Sequence, residues 1–376
     1  MTINRRTILA GGAAAMLGTA DASAQATAAE PSEAERAAID GVVDKVMRQF
    51  SIPGLSIAIA AAGKEVYAQG YGDADKSVNE KVTPKSLFRI ASLSKPITAT
   101  AIFTLIERGK LHLTERVFGR GAVLDIDYGE SFPRNVNQIT VEHLLTHTAG
   151  GWPNDKTDPM FGQAGKNQKQ LITWVLANQP LKTVPGSTYA YSNFGYCVLG
   201  RVIEKISGES YQGFVRNQVL KRCGISEMTI AGNKLADRTP GEVIYYDDVE
   251  KPYEIDVARM DSHGGWIAMA SDLVRFLTHV DGFPTVPDIL RPDMLRLMTT
   301  PSTVKPDYAM GWAVNKANNW WHTGSLPGST TLMVRTARGL CWAALANGRG
   351  KGAADFSEAL DRMMWDVVRK VPAWKA

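Results

Sequence analysis

The order of strand-like and helix-like segments is the feature that most constrains how this chain folds. Five segments have the length and the β-branched or aromatic content of strands, two near the start of the chain and three near its end. They are residues 55–61, 65–71, 309–314, 330–335 and 341–346. The short link Ala62-Gly63-Lys64 between the first two predicts a hairpin.

Helical patterns fill the chain between the two groups of strands and also flank them. Ser32 and Glu35 have the spacing of a capping box, and a periodic apolar run to Phe50 follows them. The last predicted helix covers residues 353–369. The helices predicted between the strands are residues 97–108 with Gly109 as C-cap, 141–146, 168–178, 194–206, 211–220, and 272–280 with Ser271 as N-cap.

This order predicts an α/β fold of the α+β type. Strands from the two ends share one sheet only if the helical middle is an insertion. We therefore expect an antiparallel sheet flanked by N- and C-terminal helices, with an inserted, mainly helical lobe. Residues 31–376 are assigned to one domain, with an α/β lobe at 31–88 and 300–376 and a helical lobe at 89–299. A cleft between the lobes is the expected ligand site.

A candidate nucleophile lies where the predicted helical middle begins. Ser92 and Lys95 are three residues apart, so their side chains share a face of a helix. Pro96 has no N–H to donate to the carbonyl of residue 92, so Ser92 must lie in the first helical turn or just before it. Backbone N–H groups there favour the negative charge of an attacked carbonyl, and a desolvated Lys95 shifts toward its neutral, basic form.

The spacing S-x-x-K is weak evidence by itself. The chain repeats it at Ser302 and Lys305, between two prolines where no helix propagates. A second motif, Tyr191-Ser192-Asn193, has two interpretations. It is either a turn with an Asn helix cap, or a phenol that cationic Lys95 draws toward phenolate beside an amide that holds Lys95 and the substrate.

A third motif, His322-Thr323-Gly324, precedes Ser325 and the strand predicted at residues 330–335. A strand beside the cleft could align the backbone of a substrate. The N–H of Ser325 could then join that of Ser92 in an oxyanion hole.

In this order the three motifs resemble those of the serine β-lactamase and penicillin-binding-protein superfamily. Its members include class C β-lactamases, DD-carboxypeptidases, D-aminopeptidases and lactamase-like carboxylesterases. The resemblance extends from about residue 39 to residue 368. Further stretches typical of these proteins are residues 143–150, 185–186, 264–266, 271–272 and 345–348.

The resemblance implies a serine hydrolase that cleaves an ester or amide through an acyl-enzyme on Ser92. It implies that Lys95 and Tyr191 carry protons, that Asn193 orients Lys95 and the substrate, and that residues 322–325 contact the substrate. His322 stands where β-lactamases usually have Lys, and a neutral His holds a substrate carboxylate less firmly. A carboxylesterase or a D-amino-acid peptide or amide hydrolase is therefore expected. A β-lactamase and a penicillin-binding sensor without turnover are the alternatives.

Tryptophans near these motifs are candidates for an apolar acyl pocket. The chain contains nine tryptophans, and four of them lie in or beside the motifs. These four are Trp152, Trp266, Trp312 and Trp321.

The first 24 residues have the features of an export signal. Arg5-Arg6 precede an Ala/Gly-rich apolar stretch that is too short to span a bilayer. Ala22-Ser23-Ala24 then has the small-x-small spacing of a signal-peptidase site. The paired arginines resemble a twin-arginine signal, although the general route stays open. A periplasmic or secreted protein without a membrane span is the expectation.

Other parts of the sequence disfavour several protein classes. The net charge is +4 and no run of Lys and Arg is present, which disfavours nucleic acid as a partner. His143 and His147 have the spacing of a zinc-protease motif but lack its Glu, so neither a metal nor a cofactor is expected. Cys197 and Cys341 lie in apolar runs and are predicted to be core thiols. The expected partner is a small ester, amide or short peptide.

Overall fold

The computed structural model of the protein describes residues 28–350 and 353–374, so the predicted export signal lies outside the described residues. The strands are β1 (Gly54–Ala61), β2 (Lys64–Asp75), β3 (Glu80–Lys81), β4 (Phe88–Arg89), β5 (Thr229–Ile230), β6 (Trp266–Ala268), β7 (Ala313–Val314), β8 (Trp320–Leu326), β9 (Ser329–Arg335) and β10 (Leu340–Ala346). The α-helices are α1 (Glu33–Phe50), α2 (Ser94–Glu107), α3 (Val141–Leu145), α4 (Pro159–Gly162), α5 (Gln168–Asn178), α6 (Asn193–Ser207), α7 (Tyr211–Val215), α8 (Ala270–Thr278), α9 (Pro292–Thr299) and α10 (Ala353–Val368).

Strands from both ends of the chain form one seven-stranded sheet in the order β3-β2-β1-β10-β9-β8-β7. The central pair is β1 and β10, which are antiparallel with Ile57 opposite Ala344. The other pairs of this sheet are also antiparallel. The predicted α/β fold, an antiparallel sheet flanked by N- and C-terminal helices, is therefore confirmed. A smaller three-stranded sheet has the order β4-β6-β5, and its strand β4 ends shortly before Ser92.

Both faces of the central strands are covered by apolar side chains. Along β1, Leu55, Ile57 and Ile59 pack in a core shared with α1 and α10. Ala58 and Ala60 point the other way, into the core shared with the inserted helices. Because side chains alternate along a strand, an unbroken apolar run indicates burial on both sides. Burial of this kind fixes the register of the sheet, since a slip of one residue would exchange the two sets.

The division into lobes needs one correction. The predicted helical lobe, residues 89–299, includes α8, yet α8 packs directly on β1, β2 and β10. Its Leu273, Phe276 and Leu277 are fully buried in the same core as Ala343 of β10. α8 carries its apolar residues on one face, and the sheet provides the apolar surface that covers this face.

Several predicted boundaries also differ. Ser271 does not cap α8; Met269 precedes the helix, and the carboxylate of Asp272 accepts its N–H. The helix predicted at 211–220 ends as α-helix at Val215 and continues as a π-helical turn. The strand predicted at 309–314 shrinks to β7, and sequence reasoning missed β8 and α9.

Other local predictions agree with the structure. Ser32 and Glu35 form the predicted capping box at the start of α1. Cys197 and Cys341 are buried free thiols in the core. In the described part of the chain, no helix combines the length and the apolar character that crossing a bilayer requires.

Candidate active site

The backbone turns sharply just before Ser92. Strand β4 ends at Arg89, and Ala91 follows with φ of 50°, in the left-handed region that a residue with a Cβ rarely adopts. The 3₁₀ turn Ala91–Leu93 then leads into α2 at Ser94. Ser92 is therefore just ahead of the helix, as the position of Pro96 predicts. A strained residue beside a candidate nucleophile is typical of functional sites.

Lys95 brings its amine to the hydroxyl of Ser92. Its Nζ lies 3.0 Å from Ser92 Oγ, 2.7 Å from Asn193 Oδ1 and 3.0 Å from the carbonyl oxygen of His263. The amide oxygen and the carbonyl only accept, so they hold two hydrogens of the amine. The third position of Nζ faces Ser92, and there either the ammonium donates or the neutral amine accepts the serine hydrogen.

Burial makes the neutral form of Lys95 accessible. The side chain is fully buried, and desolvation lowers the pKa of its amine to about 7. The charge of Asp158 opposes part of this shift. At neutral pH a substantial fraction of Lys95 is thus unprotonated and able to take a proton from Ser92.

Asn193 is held in the orientation that this contact requires. Its Nδ2 donates to Asn154 Oδ1 at 3.0 Å and to Asp158 Oδ2 at 2.8 Å, so Oδ1 must face Lys95. The helix-cap interpretation of Asn193 is wrong by one residue. Ser192 is the N-cap of α6, and its hydroxyl accepts the N–H of Gly195.

Burial favours the neutral phenol form of Tyr191. Burial raises its pKa above the ordinary value, and the hydroxyl of Ser92 offsets only part of that rise. The Nζ of Lys95 lies 4.8 Å from the centre of the Tyr191 ring. The predicted phenolate is therefore not supported, because removing the ring from water outweighs any attraction to the lysine.

The motif His322-Thr323-Gly324 lies within β8 itself. Thr323 and Ser325 are on the exposed face of the strand, whereas His322 and Gly324 are buried. The pairing of β8 with β7 ends at Trp321, so its next residues have no partner on that edge among the described strands. A Cβ on Gly324 would lie 2.6 Å from the Ile90 carbonyl oxygen, so glycine permits the close approach of β8 to the Ser92 turn.

Some of these residues line a cavity of about 300 Å³. Its lining includes Ser92, Tyr191 and the exposed side of β8. The lining residues are Ser92, Asn154, Tyr189, Tyr191, Tyr308, Ala313, Trp321, His322, Thr323, Gly324, Ser325 and Ser357. An adjoining cavity of about 540 Å³ shares Asn154 and Ser325 with it.

Only one of the four candidate tryptophans, Trp321, lines this cavity. Trp152 packs on Phe194, Trp266 donates to the hydroxyl of Tyr211, and Trp312 stacks on Phe276. These three are buried in the core, so the predicted pocket role is wrong for them. Proximity to a motif in the sequence did not indicate which face of the backbone each indole occupies.

Sequence reasoning missed several residues of the site. Asp158 and Asn154 orient Asn193 but belong to no motif. The His263 carbonyl precedes the Gly264-Gly265-Trp266 stretch, which marks its neighbourhood only. His143 and His147 have the spacing of a zinc-protease motif but other partners: His143 Nδ1 accepts the N–H of Thr140, and His147 lies among the rings beside the cavity.

A serine hydroxyl against a buried lysine amine, beside a free strand edge on this sheet, is the arrangement of the β-lactamase-fold superfamily of serine hydrolases. The chain belongs to the family described as Beta-lactamase, whose profile matches residues 39–362. Members of this superfamily are serine hydrolases that include amidases, carboxypeptidases and esterases.

Three proteins that are similar to this chain have different descriptions. Protein flp of Staphylococcus aureus (strain NCTC 8325 / PS 47) is 30% identical over 184 residues, which are 49% of this chain and 36% of flp. The chain thus matches about a third of the length of that relative. The D-amino acid amidase of Ochrobactrum anthropi SV3, with L-phenylalanine amide, has a TM-score of 0.72 at 22% identity, covering 89% of this chain and 98% of that one.

The third relative is EstCE1, described as a hydrolase with promiscuous acyltransferase activity. Its TM-score is 0.69 at 20% identity, with 87% of this chain and 98% of that chain covered. At these identities the two structural likenesses show the fold.

Proposed function

We propose that this protein hydrolyses an ester or amide through an acyl-enzyme on Ser92. One observation carries the proposal: the amine of Lys95 is buried, lies 3.0 Å from Ser92 Oγ, and has acceptors in its other two contacts. A nucleophile and a base within hydrogen-bond reach, with a third group orienting the base, is the arrangement that acyl transfer requires.

The first half of the reaction acylates the serine. Neutral Lys95 takes the hydrogen of Ser92 as Oγ attacks the substrate carbonyl. The N–H groups of Ser92 and Ser325 stabilise the oxyanion. As the tetrahedral intermediate collapses, the leaving group takes a proton from Lys95, either directly or through the phenol of Tyr191.

The second half releases the acyl group. Water enters the cavity, neutral Lys95 accepts its proton either directly or through the phenol of Tyr191, and the hydroxide attacks the acyl carbonyl. Ser92 leaves with a proton and the carboxylic acid product dissociates.

Replacement of the nucleophile tests the proposal. We expect Ser92→Ala to lower kcat/KM by about 10³-fold or more on any true substrate. A panel of p-nitrophenyl esters, a D-Ala-D-Ala peptide and a chromogenic cephalosporin, assayed on one purified sample, ranks the substrate classes. Undiminished ester hydrolysis by Ser92→Ala would contradict the proposal.

Two alternatives have distinct signatures in the same panel. The cephalosporin would have the highest kcat/KM for a β-lactamase. A penicillin-binding sensor would be labelled stoichiometrically by a β-lactam and would not deacylate. The matched family is described as Beta-lactamase, which is compatible with both of these alternatives. The neutral His322 on β8 favours an ester or amide.

We also propose that the protein acts in the periplasm or outside the cell, because residues 1–24 have the features of an export signal. Cell fractionation of the native chain and of Arg5→Lys/Arg6→Lys tests this. Export that requires the paired arginines supports the twin-arginine route. Retention of the native chain in the cytoplasm would contradict the proposal.

A further inference from the structure

Tyr308 joins two buried histidines beside the cavity. Its hydroxyl lies 3.1 Å from Nε2 of His147 and 3.2 Å from Nε2 of His322. At the outer ends, Nδ1 of His147 faces the backbone N–H of Ser192 at 3.1 Å, and Nδ1 of His322 faces the carbonyl oxygen of Thr323 at 2.6 Å. The two imidazoles and the phenol are all buried.

The two backbone groups fix the position of every hydrogen in this series. A backbone N–H only donates, so Nδ1 of His147 accepts, and the hydrogen of this neutral ring is on Nε2 and points at Tyr308. A carbonyl only accepts, so Nδ1 of His322 carries a hydrogen. The Nε2 of a neutral His322 is then bare, and it accepts the hydroxyl hydrogen of Tyr308.

The surroundings of His322 favour its neutral form. Burial, and then the charge of Lys95, lower its pKa to about 3. Burial likewise lowers the pKa of His147 well below its ordinary value. The groups that face His322 are Lys95 on α2, His147 after α3, Tyr191 before α6 and Tyr308 before β7. In the described part of the chain, no carboxylate is among the groups that shift its pKa.

The described lining of the cavity contains neither a Lys nor an Arg, so a substrate carboxylate at this end of β8 would meet hydroxyl donors, such as those of Thr323 and Ser325, but no cation. Lys305 lies over the ring of Tyr189 at the rim but is 2.9 Å from the carboxylate of Asp307. The adjoining cavity is lined by Lys156 and by Arg349, and Arg349 is paired with Glu250. Both ring nitrogens of His322 already have hydrogen-bond partners, Tyr308 at Nε2 and the Thr323 carbonyl at Nδ1.

We propose that Tyr308, held by His147, is a positioning residue that keeps His322 as the neutral Nδ1–H tautomer and thereby restricts the site to esters or amides without a carboxylate beside the scissile bond. This inference rests on the proposed function of Ser92. In this tautomer Nδ1–H donates to the Thr323 carbonyl and Nε2 carries no hydrogen, so His322 has no donor left for an anion.

The tautomer is measured by NMR, independently of activity. Protein labelled with ¹⁵N-histidine gives two-bond correlations whose nitrogen shifts identify the protonated ring nitrogen, and His322→Gln assigns the signals. We expect a protonated Nδ1 and a bare Nε2 that do not titrate from about pH 5 to about pH 8. In Tyr308→Phe we expect the tautomer to change. In Tyr189→Phe, which removes a cavity hydroxyl outside the series, we expect it to stay.

The selectivity is measured on a matched, achiral pair of esters, phenylacetyl-glycolate and phenylacetyl-glycolamide. Each kcat/KM is divided by the rate constant for hydroxide hydrolysis, which removes the difference in leaving-group chemistry. We expect the native enzyme to prefer the neutral amide-bearing ester by about tenfold or more, because the anion would lose its water without gaining a cationic partner. The preference should fall in Tyr308→Phe.

The Nδ1–H tautomer together with the neutral preference supports the inference. A protonated Nε2, a His322 that titrates in this range, or equal normalised values for the two esters overturns it. These readings come from the native protein, so they hold even if Tyr308→Phe does not fold. If neither ester is turned over by Ser92, the proposed function fails, and the NMR tautomer still decides the role of Tyr308.

Discussion

At the scale of single residues, the site depends on how little water reaches Lys95. The amine has three partners and no exposed surface, and a charged amine in that position is costly. The protonated form is therefore in balance with the neutral one near neutral pH. The same burial that would destabilise an inert lysine makes this one a base.

The pH dependence of kcat/KM follows from this pKa. Only the unprotonated amine accepts the serine hydrogen, so activity should rise with pH and level off above the Lys95 pKa of about 7. Lys95→Arg, which stays protonated, should lower kcat/KM by about 10³-fold at every pH. Initial rates on a p-nitrophenyl ester at low substrate concentration measure both effects. A profile without an acid limb near this value would contradict the role of Lys95.

A second residue-scale prediction concerns Asp158, whose charge raises the Lys95 pKa against the effect of burial. Asp158→Asn removes that charge, so the acid limb of the profile should move to lower pH while kcat falls through the altered support of Asn193. Asp155→Asn is the matched control, because Asp155 is an exposed carboxylate three residues away. An acid limb that stays in place in Asp158→Asn would show that another group titrates.

At the scale of elements, the approach of β8 to the Ser92 turn depends on one glycine. A Cβ at Gly324 would lie 2.3 Å from Thr331 Oγ1 and 2.6 Å from the Ile90 carbonyl oxygen. The backbone atom cannot rotate away, so a methyl group there must push the strand from the turn. The oxyanion site that we propose between Ser92 and Ser325 would widen with it.

We therefore expect Gly324→Ala to lower kcat/KM by about 10²-fold, the usual cost of misplacing reacting groups by about 1 Å. Gly41→Ala is the control, since nothing lies within 4 Å of a Cβ at that position in α1. The control should be more stable by about 0.5–1 kcal/mol through helix propensity, with unchanged kcat/KM. Full activity in Gly324→Ala would refute the close-approach argument.

Elements also show what the sequence could and could not predict. α5 was predicted with its observed bounds, and in the structure Asn167 and Gln170 form a capping box at its start. β8 was missed because its Trp-Trp-His-Thr-Gly run contains a glycine and polar residues. Buried and exposed side chains alternate along the strand in the folded sheet, but apolar and polar residues do not alternate in the sequence. The series through Tyr308 joins residues up to 175 positions apart, and no local pattern indicates it.

At the scale of the whole molecule, the sheet separates two apolar cores. One core holds α1 and α10, and the other joins the sheet to the inserted helices that carry Ser92, Lys95 and Asn193. The order of strand-like segments at both ends and helical segments in the middle was sufficient to predict one sheet with terminal helices and inserted helices. It did not predict that α8 packs on the sheet, because the sequence of an amphipathic helix does not name the surface that covers it.

The separation of the cores predicts that stability and catalysis can be changed independently. Leu360 of α10 is fully buried in the core that holds α1 and α10, and this core meets the cavity at Trp321 and at Ser357. Leu360→Ala should lower the free energy of unfolding by about 2–5 kcal/mol, measured by urea denaturation. The folded fraction should keep the native kcat/KM, and the acid limb of its pH profile should stay at the native position. A shift of that limb would mean that the two cores are coupled.

Covalent labelling of Ser92 tests the central claim most directly. Native protein treated with a fluorophosphonate should gain one adduct per chain by intact-mass spectrometry, located on the peptide that contains Ser92. The labelling rate should fall as the pH is lowered through about 7, because neutral Lys95 activates the serine. Ser92→Ala should gain none. An adduct on another residue, or equal labelling of Ser92→Ala, would contradict the assignment of Ser92 as the nucleophile.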